Sequence, residues 1–308
     1  MNGAFMKEIE FESFDGKKLA CFLWDDVRGM PKGVIQLIHG LTSHTMRYED
    51  FAKTLNANGY IVFGDDHRMN GKTAGLENLG KAGKNNFNEN VKDEIYITKM
   101  LREKYSLPVQ LFAHSYGSFL AQRYIEQAGC LIAGALLSGS AYMGGSMLFW
   151  GKMLTFFQTL FFRTDGPGKM FYKMTFTSND EYFLQDNIKN AWLNRDLEKV
   201  KIYNADPLCD FVMSNGFFYS LMRGLSDACK PENLSRIEKD LPIALMSGQK
   251  DPVGGMGEKV TALFELYKSL GLNVTMRIYE NVRHELTGDY DEEIIVRDML
   301  NFFDGNLK

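Results

Sequence analysis

Ser115 stands in the run Gln110-Leu111-Phe112-Ala113-His114-Ser115-Tyr116-Gly117-Ser118, where an apolar stretch ends and a helical pattern begins. A serine hydroxyl is a weak nucleophile until the backbone lifts it clear of the fold and a base takes its proton. A strand that turns sharply into a helix around small-x-Ser-x-Gly does the lifting. Ala113 and Gly117 are the small residues such a turn requires, because it brings neighbouring main chains into contact. Serine is also a common helix N-cap, so a nucleophile at 115 calls for a base and an acid elsewhere in the chain.

The chain has five histidines. His39 and His114 sit beside turns at strand ends and read as structural. His44 and His67 lie in loops ahead of Ser115. His284 follows the last expected strand, where a loop can carry an imidazole over the sheet to the serine. An acid must hold that imidazole in the right tautomer. Asp251, in Gly248-Gln249-Lys250-Asp251-Pro252-Val253, directly follows an apolar strand, with Asp65 and Asp66 as alternatives. Asp251 and His284 are 33 residues apart, room for one helix and one strand.

The elements that must place these side chains alternate in type. Residues 5–13 and 17–24 read as a hairpin around Asp15-Gly16. Gly33–Ile38, Tyr60–Phe63, Val109–Ala113, Ile132–Leu137, Pro242–Met246 and Val274–Tyr279 are short apolar runs suited to buried strands. Helical spacing fills the intervals: Tyr48, Phe51, Ala52 and Leu55 with Gly59 as the stop, then 88–105, Tyr116–Ala128, 256–270 and 291–303. Such alternation predicts an α/β fold, a mostly parallel sheet covered by helices on both faces. Functional groups of such sheets gather at the carboxyl ends of strands, where His39, Asp65, Ser115 and Ser138 fall. Between 141 and 235 the strands give way to helical texture rich in Phe, Met, Tyr and Trp. The expected division is therefore a core of 1–140 and 236–308, with 141–235 inserted as a helical cap.

The 308 residues are 45% apolar and carry a net charge of −4. No basic cluster offers the concentrated positive face that a nucleic-acid partner needs. Cys21, Cys130, Cys209 and Cys229 are widely spaced and read as reduced thiols of a cytoplasmic protein. The first residues lack a signal-peptide pattern, and no apolar run is long enough to span a bilayer. No cluster has metal-ligand spacing, so neither a metal nor a cofactor is expected.

Further motifs extend the pattern: His39-Gly40-Leu41 with His44 and Arg47-Tyr48, Asp66-His67-Arg68 with Gly71, Tyr203-Asn204-Ala205-Asp206-Pro207-Leu208, Asp251-Pro252-Val253 and Arg283-His284-Glu285. With the serine motif, and in this order, they resemble the α/β-hydrolase superfamily, in its monoacylglycerol lipase and lysophospholipase-like, serine aminopeptidase S33-type branch. The resemblance covers nearly the whole chain. The order Ser115, Asp251, His284 is the chain order of a triad on that fold. Ala113 replaces the usual first glycine of the serine motif. Met69-Asn70 interrupt the usual Asp-His-Arg-Gly-His-Gly loop, a departure that bears on substrate more than on catalysis.

The resemblance implies acyl transfer through a covalent intermediate on Ser115, with His284 as base, Asp251 as its orienting acid, and no cofactor. The Tyr116 amide after the nucleophile and, by resemblance, the Leu41 amide would hold the oxyanion. The implied substrates are acyl esters such as monoacylglycerols or lysophospholipids. An aminopeptidase would need cap acids such as Glu181 or Asp186 for a substrate amine. An acyltransferase would use the same triad, and a non-enzymatic binding protein would have lost part of it. Met147–Phe162 is dense in aromatic residues; Phe149, Trp150, Phe156 and Phe157 are expected to line an acyl pocket, with a transient lipid-surface contact as the other reading. His44 and Arg47 are candidates to touch a polar head group.

Overall fold

Alternating apolar and polar side chains suit β1 (Met6–Glu12) to the sheet edge, where it pairs in antiparallel register with the more apolar β2 (Lys18–Trp24) as a hairpin. The computed structural model describes residues 6–307; Phe5, at the head of the expected first strand, lies outside them. Six further strands follow: β3 (Gly33–Ile38), β4 (Tyr60–Asp65), β5 (Val109–His114), β6 (Gly134–Ser138), β7 (Ile243–Gly248) and β8 (Val274–Tyr279). They form one sheet in the order β1-β2-β4-β3-β5-β6-β7-β8, parallel from β4 to β8. The inner strands β3 to β7 are buried along their whole length, as a sheet covered on both faces demands.

Along β3, Val34 and Ile38 enter one apolar core while Ile35 and Leu37 enter the other. The two-residue period of a strand therefore feeds two helical layers at once. The helices outside the β6–β7 connection are α1 (Glu49–Ala57), the single turn α2 (Gly71–Ala74), α3 (Asn86–Tyr105), α4 (Tyr116–Ala128), α10 (Glu258–Ser269) and α11 (Glu292–Gly305). The expected helix at 256–270 begins only at Glu258, because Met256 and Gly257 take left-handed backbone with φ of 55° and 94°. The connection from β6 to β7 is helical, with α5 (Ser146–Phe161), α6 (Lys169–Thr175), α7 (Leu197–Ala205), α8 (Asn215–Ala228) and the short α9 (Pro231–Leu234).

After β4 the chain crosses to the far side of β3 to lay down β5. A crevice opens at the carboxyl ends of strands where the winding reverses in this way. The loops after β3 and β5 border it, and they carry Leu41 and Ser115. Among the described residues no helix is long and apolar enough to cross a membrane.

Candidate active site

Ser115 joins β5 to α4 with φ 54° and ψ −116°, backbone that L-residues seldom adopt. Such strain persists only where the surroundings fix it. Here the Ser115 amide donates to the Ser138 carbonyl at 2.8 Å, and the Ser118 amide and hydroxyl donate to the Ser115 carbonyl at 2.9 and 2.6 Å. A Cβ at Gly117 would collide with the main-chain oxygen of Ile38. One at Gly40 would lie 3.3 Å from the Ser115 Cβ, so the loop after β3 passes close by the serine. Ser115 is half-buried and caps the first turn of α4 without a side-chain cap bond.

Asp251 follows β7 and His284 follows β8. The two loops are stitched by main-chain bonds from Gln249 to Tyr279 and from Lys250 to Val282, at 2.9 and 2.8 Å. His284 Nδ1 lies 2.9 Å from Asp251 Oδ1, and both side chains are buried. A carboxylate accepts, so Nδ1 carries the hydrogen and Nε2 is left as the basic nitrogen. Asp251 Oδ1 also accepts from the Val253 amide at 2.9 Å. Ser115 and His284 border one small cavity, roofed by Trp192 and Phe176 from the β6–β7 connection. The alternative acids lie elsewhere. Asp66 accepts from the Thr45 and Lys72 amides, each at 2.8 Å, and Asp65 faces His67.

The remaining histidines are engaged by other partners within the fold. His39 Nε2 accepts from the His67 amide at 3.1 Å, so its Nδ1 donates to the Gly40 carbonyl at 2.7 Å. Burial holds both His39 and His114 well below the usual imidazole range, and so uncharged. His44 does not reach the serine. Its Nε2 pairs with Asp206 at 3.0 Å, beside a polar pocket shared with Glu292. Arg47 does approach: it grips Glu285 through two bonds of 2.6 and 3.0 Å at the wall of the small cavity. Burial opposes its charge, and the Glu285 carboxylate more than offsets that, holding the guanidinium protonated. Met69 is buried, and Asn70 donates to the Ser43 carbonyl at 2.9 Å, so the loop departure braces the chain after Leu41.

A larger apolar pocket of about 900 Å³, partly open to solvent, leads away from Ser115. Its walls come from Phe119, Phe218, Leu221, Leu225, Met143 and Val253, with Leu41 and Tyr116 at the serine end. The expected lining residues are not there. Phe149, Trp150, Phe156 and Phe157 are 56%, 63%, 47% and 47% exposed on the outer side of α5. That helix is apolar all round, and it packs by its small face instead: Gly151 sits against Met222, Thr155 is buried, and Gln158 donates to Asn215 at 2.6 Å. The spacing of Phe218, Leu221 and Leu225 on α8 was the available signal for the true wall. Nothing in the sequence marked Trp192, whose ring centre lies 5.0 Å from that of His284.

Among the described residues, two groups gather side chains of metal-ligating type. In His44, Asp206 and Cys209, the imidazole is already paired with the carboxylate and burial pushes the thiol well up, away from the thiolate a metal needs. Asp65, His67 and Glu94 form the second.

The profile of the family described as serine aminopeptidase, S33, matches residues 29–291. Monoglyceride lipase of Homo sapiens is 26% identical over 285 residues, covering 90% of this chain and 83% of the relative. Monoacylglycerol lipase of Mycolicibacterium smegmatis is 20% identical over 309 residues, covering 97% and 98%. The crystal structure of a thermostable carboxyl esterase from Bacillus coagulans, in complex with glycerol, superposes with a TM-score of 0.88 at 25% identity, covering 98% of this chain and 99% of that one.

Proposed function

The chain belongs to the serine aminopeptidase S33 family of α/β-hydrolases, and from that premise we propose that it is a carboxylic ester hydrolase for monoacylglycerol- or lysophospholipid-like esters, working through Ser115, His284 and Asp251. The observation that carries this reading is the 2.9 Å bond between His284 Nδ1 and Asp251, buried above a strained serine that opens on an apolar pocket. Relatives described as monoglyceride lipases and a carboxyl esterase support the ester class.

In this reading His284 Nε2 takes the Ser115 proton as Oγ adds to the ester carbonyl carbon. Asp251 stabilises the imidazolium through Nδ1–H. The oxyanion faces the amides of Leu41 and Tyr116, the latter at the positive end of α4. Collapse expels the alcohol, which takes the proton from His284, and leaves the acyl group on Ser115. Water then gives its proton to His284 and attacks the acyl carbon. The acid departs, and Ser115 recovers its hydrogen. The acyl chain lies along Phe119, Phe218, Leu221 and Leu225, while a polar head group lies toward Arg47 and Glu285.

Two further observations refine the class. A peptide substrate would bring an ammonium group, but the large pocket's lining offers only Lys259 as a charged side chain. Asp186 is spent on Arg283 at 2.7 Å, and Glu181 is exposed. An ester is therefore favoured over an amide. We read 141–235 as the cap over the site, and the outward aromatic side of α5 as the face that meets a lipid surface.

Hydrolysis of p-nitrophenyl esters from acetyl to palmitoyl, wild type beside Ser115→Ala, tests the assignment. Turnover abolished by Ser115→Ala, with an optimum beyond the short acyl chains, is expected. A wild type inert on every ester, or a Ser115→Ala variant as active as wild type, would sink it. Product analysis with added alcohols separates hydrolysis from acyl transfer.

A further inference from the structure

Beneath the loop that carries Leu41, three acceptor atoms converge in a closed space. Asp65 ends β4, His67 lies two residues beyond it, and Glu94 projects from α3; all three are buried. His67 Nδ1 lies 3.5 Å from Asp65 Oδ2 and 3.4 Å from Glu94 Oε1. The other ring nitrogen, Nε2, lies 3.1 Å from the His39 carbonyl oxygen. A carbonyl only accepts, so Nε2 donates to it, and Nδ1 is the ring nitrogen that faces the two carboxylates. Both Asp65 oxygens, His67 Nδ1 and Glu94 Oε1 are buried without a hydrogen-bond partner. A buried orphan costs about 1–3 kcal/mol, and more when charged. Arg68, next in the chain, cannot neutralise them, because Asp15 and Asp93 hold its guanidinium.

We infer that Asp65, His67 and Glu94 are the ligands of a structural divalent cation, of which zinc has the fitting geometry. A tetrahedral ion with bonds of about 2.0–2.1 Å sets its ligand atoms about 3.3–3.4 Å apart. An octahedral ion such as magnesium, at a similar bond length, sets them about 3.0 Å apart. The separations of 3.4 and 3.5 Å match the tetrahedral edge. One imidazole nitrogen with carboxylate oxygens is an ordinary zinc donor set. Two carboxylates balance the charge of a divalent ion, and a water enclosed with the ion would complete the four-coordinate shell. Outer bonds of the kind that orient metal ligands are also in place. Gln36 donates to Glu94 Oε2 at 2.7 Å, Thr98 donates to Gln36 at 2.6 Å, and Tyr124 donates to Thr98 at 2.9 Å. The ion would fix the oxyanion loop from below, since the His67 ring stacks on His39 at 3.9 Å and bonds to its carbonyl. The site is shut to solvent, so the ion enters as the chain folds.

The test is metal content of the full chain, grown with added zinc and purified without chelator, beside Glu94→Gln, by inductively coupled plasma mass spectrometry. One zinc per wild-type chain, lost in Glu94→Gln, is expected. Wild type unfolded with EDTA and refolded without metal should melt lower than wild type refolded with zinc. Cobalt-grown wild type should show the visible absorption of a four-coordinate ion. Wild type that carries no bound zinc and refolds to the same Tm with or without it would overturn the assignment, leaving a shared proton in the gap. Zinc retained in full by Glu94→Gln would overturn it too, by placing the ion elsewhere. Should Glu94→Gln fail to fold, the wild-type zinc count and the refolding pair decide.

Discussion

At the scale of single residues, the weight falls on how Asp251 is held. Its Oδ1 accepts from both His284 Nδ1 and the Val253 amide, so the carboxylate is aimed by the turn that contains it. Asp251→Asn keeps the shape but offers an amide that favours the wrong imidazole tautomer. We expect kcat to fall by about 10⁴ with KM little changed, as in proteases of the same triad; a loss confined to KM would mean that Asp251 is not the orienting acid. Gly117 is fixed by a different force, the contact between α4 and the end of β3. Gly117→Ala should cost both soluble yield and activity, and an unimpaired variant would mean that the turn can open. The sequence pointed to Ser115, Asp251 and His284 because each follows an apolar run that ends at a loop. It could not assign the pocket wall. Phe149 and Phe218 are equally aromatic, and only the packing of α5 on α8 decides which one faces inward. The pairing of His44 was equally out of reach, because its partner Asp206 lies 162 positions away and has no local signature.

At the scale of elements, strands were more legible than what lies between β6 and β7. A run such as GVIQLI must be buried on both faces, and a parallel sheet is the arrangement that does so. Helix α5 has no such unique solution, because its apolar residues surround the axis and any face could pack inward. The structure uses Gly151, Thr155 and Gln158, leaving Trp150, Phe156, Phe157, Leu160 and Phe161 outside. A monomer in water gains nothing from that display, whereas an enzyme that takes its substrate from a lipid surface does. Trp150→Ser with Phe157→Ser should lower the ratio of turnover on monoacylglycerol vesicles to turnover on a soluble short ester about tenfold, the scale of about 1.4 kcal/mol of lost apolar contact. Vesicle flotation should fall in parallel. An unchanged ratio would remove α5 from the lipid-facing surface.

At the scale of the whole molecule, the insertion and the sheet are joined at the loop that bears His284. Its amide and that of Glu285 donate to Trp192 and Leu193, the latter at 2.7 Å, while Arg195 reaches across to Asp289 and Asp291. Global stability therefore reads on the site, and one buried acid links that stability to pH. Glu126 on α4 is buried beside Arg123, and burial pushes its carboxyl from the usual 4.5 up to about 7 despite that ion pair. The folded state thus binds this proton more tightly than the unfolded chain does. The group's contribution is most favourable below pH 4.5 and declines as pH rises through about 7. Glu126→Gln keeps the shape and an acceptor for Arg123 and removes the titration. Its advantage over wild type in denaturant unfolding should be small near pH 4.5 and grow to about 1–3 kcal/mol at pH 8. Equal differences at both pH values would mean that the carboxylate stays ionised at a cost independent of pH, or that water reaches it and α4 packs less tightly on the insertion than the structure has it.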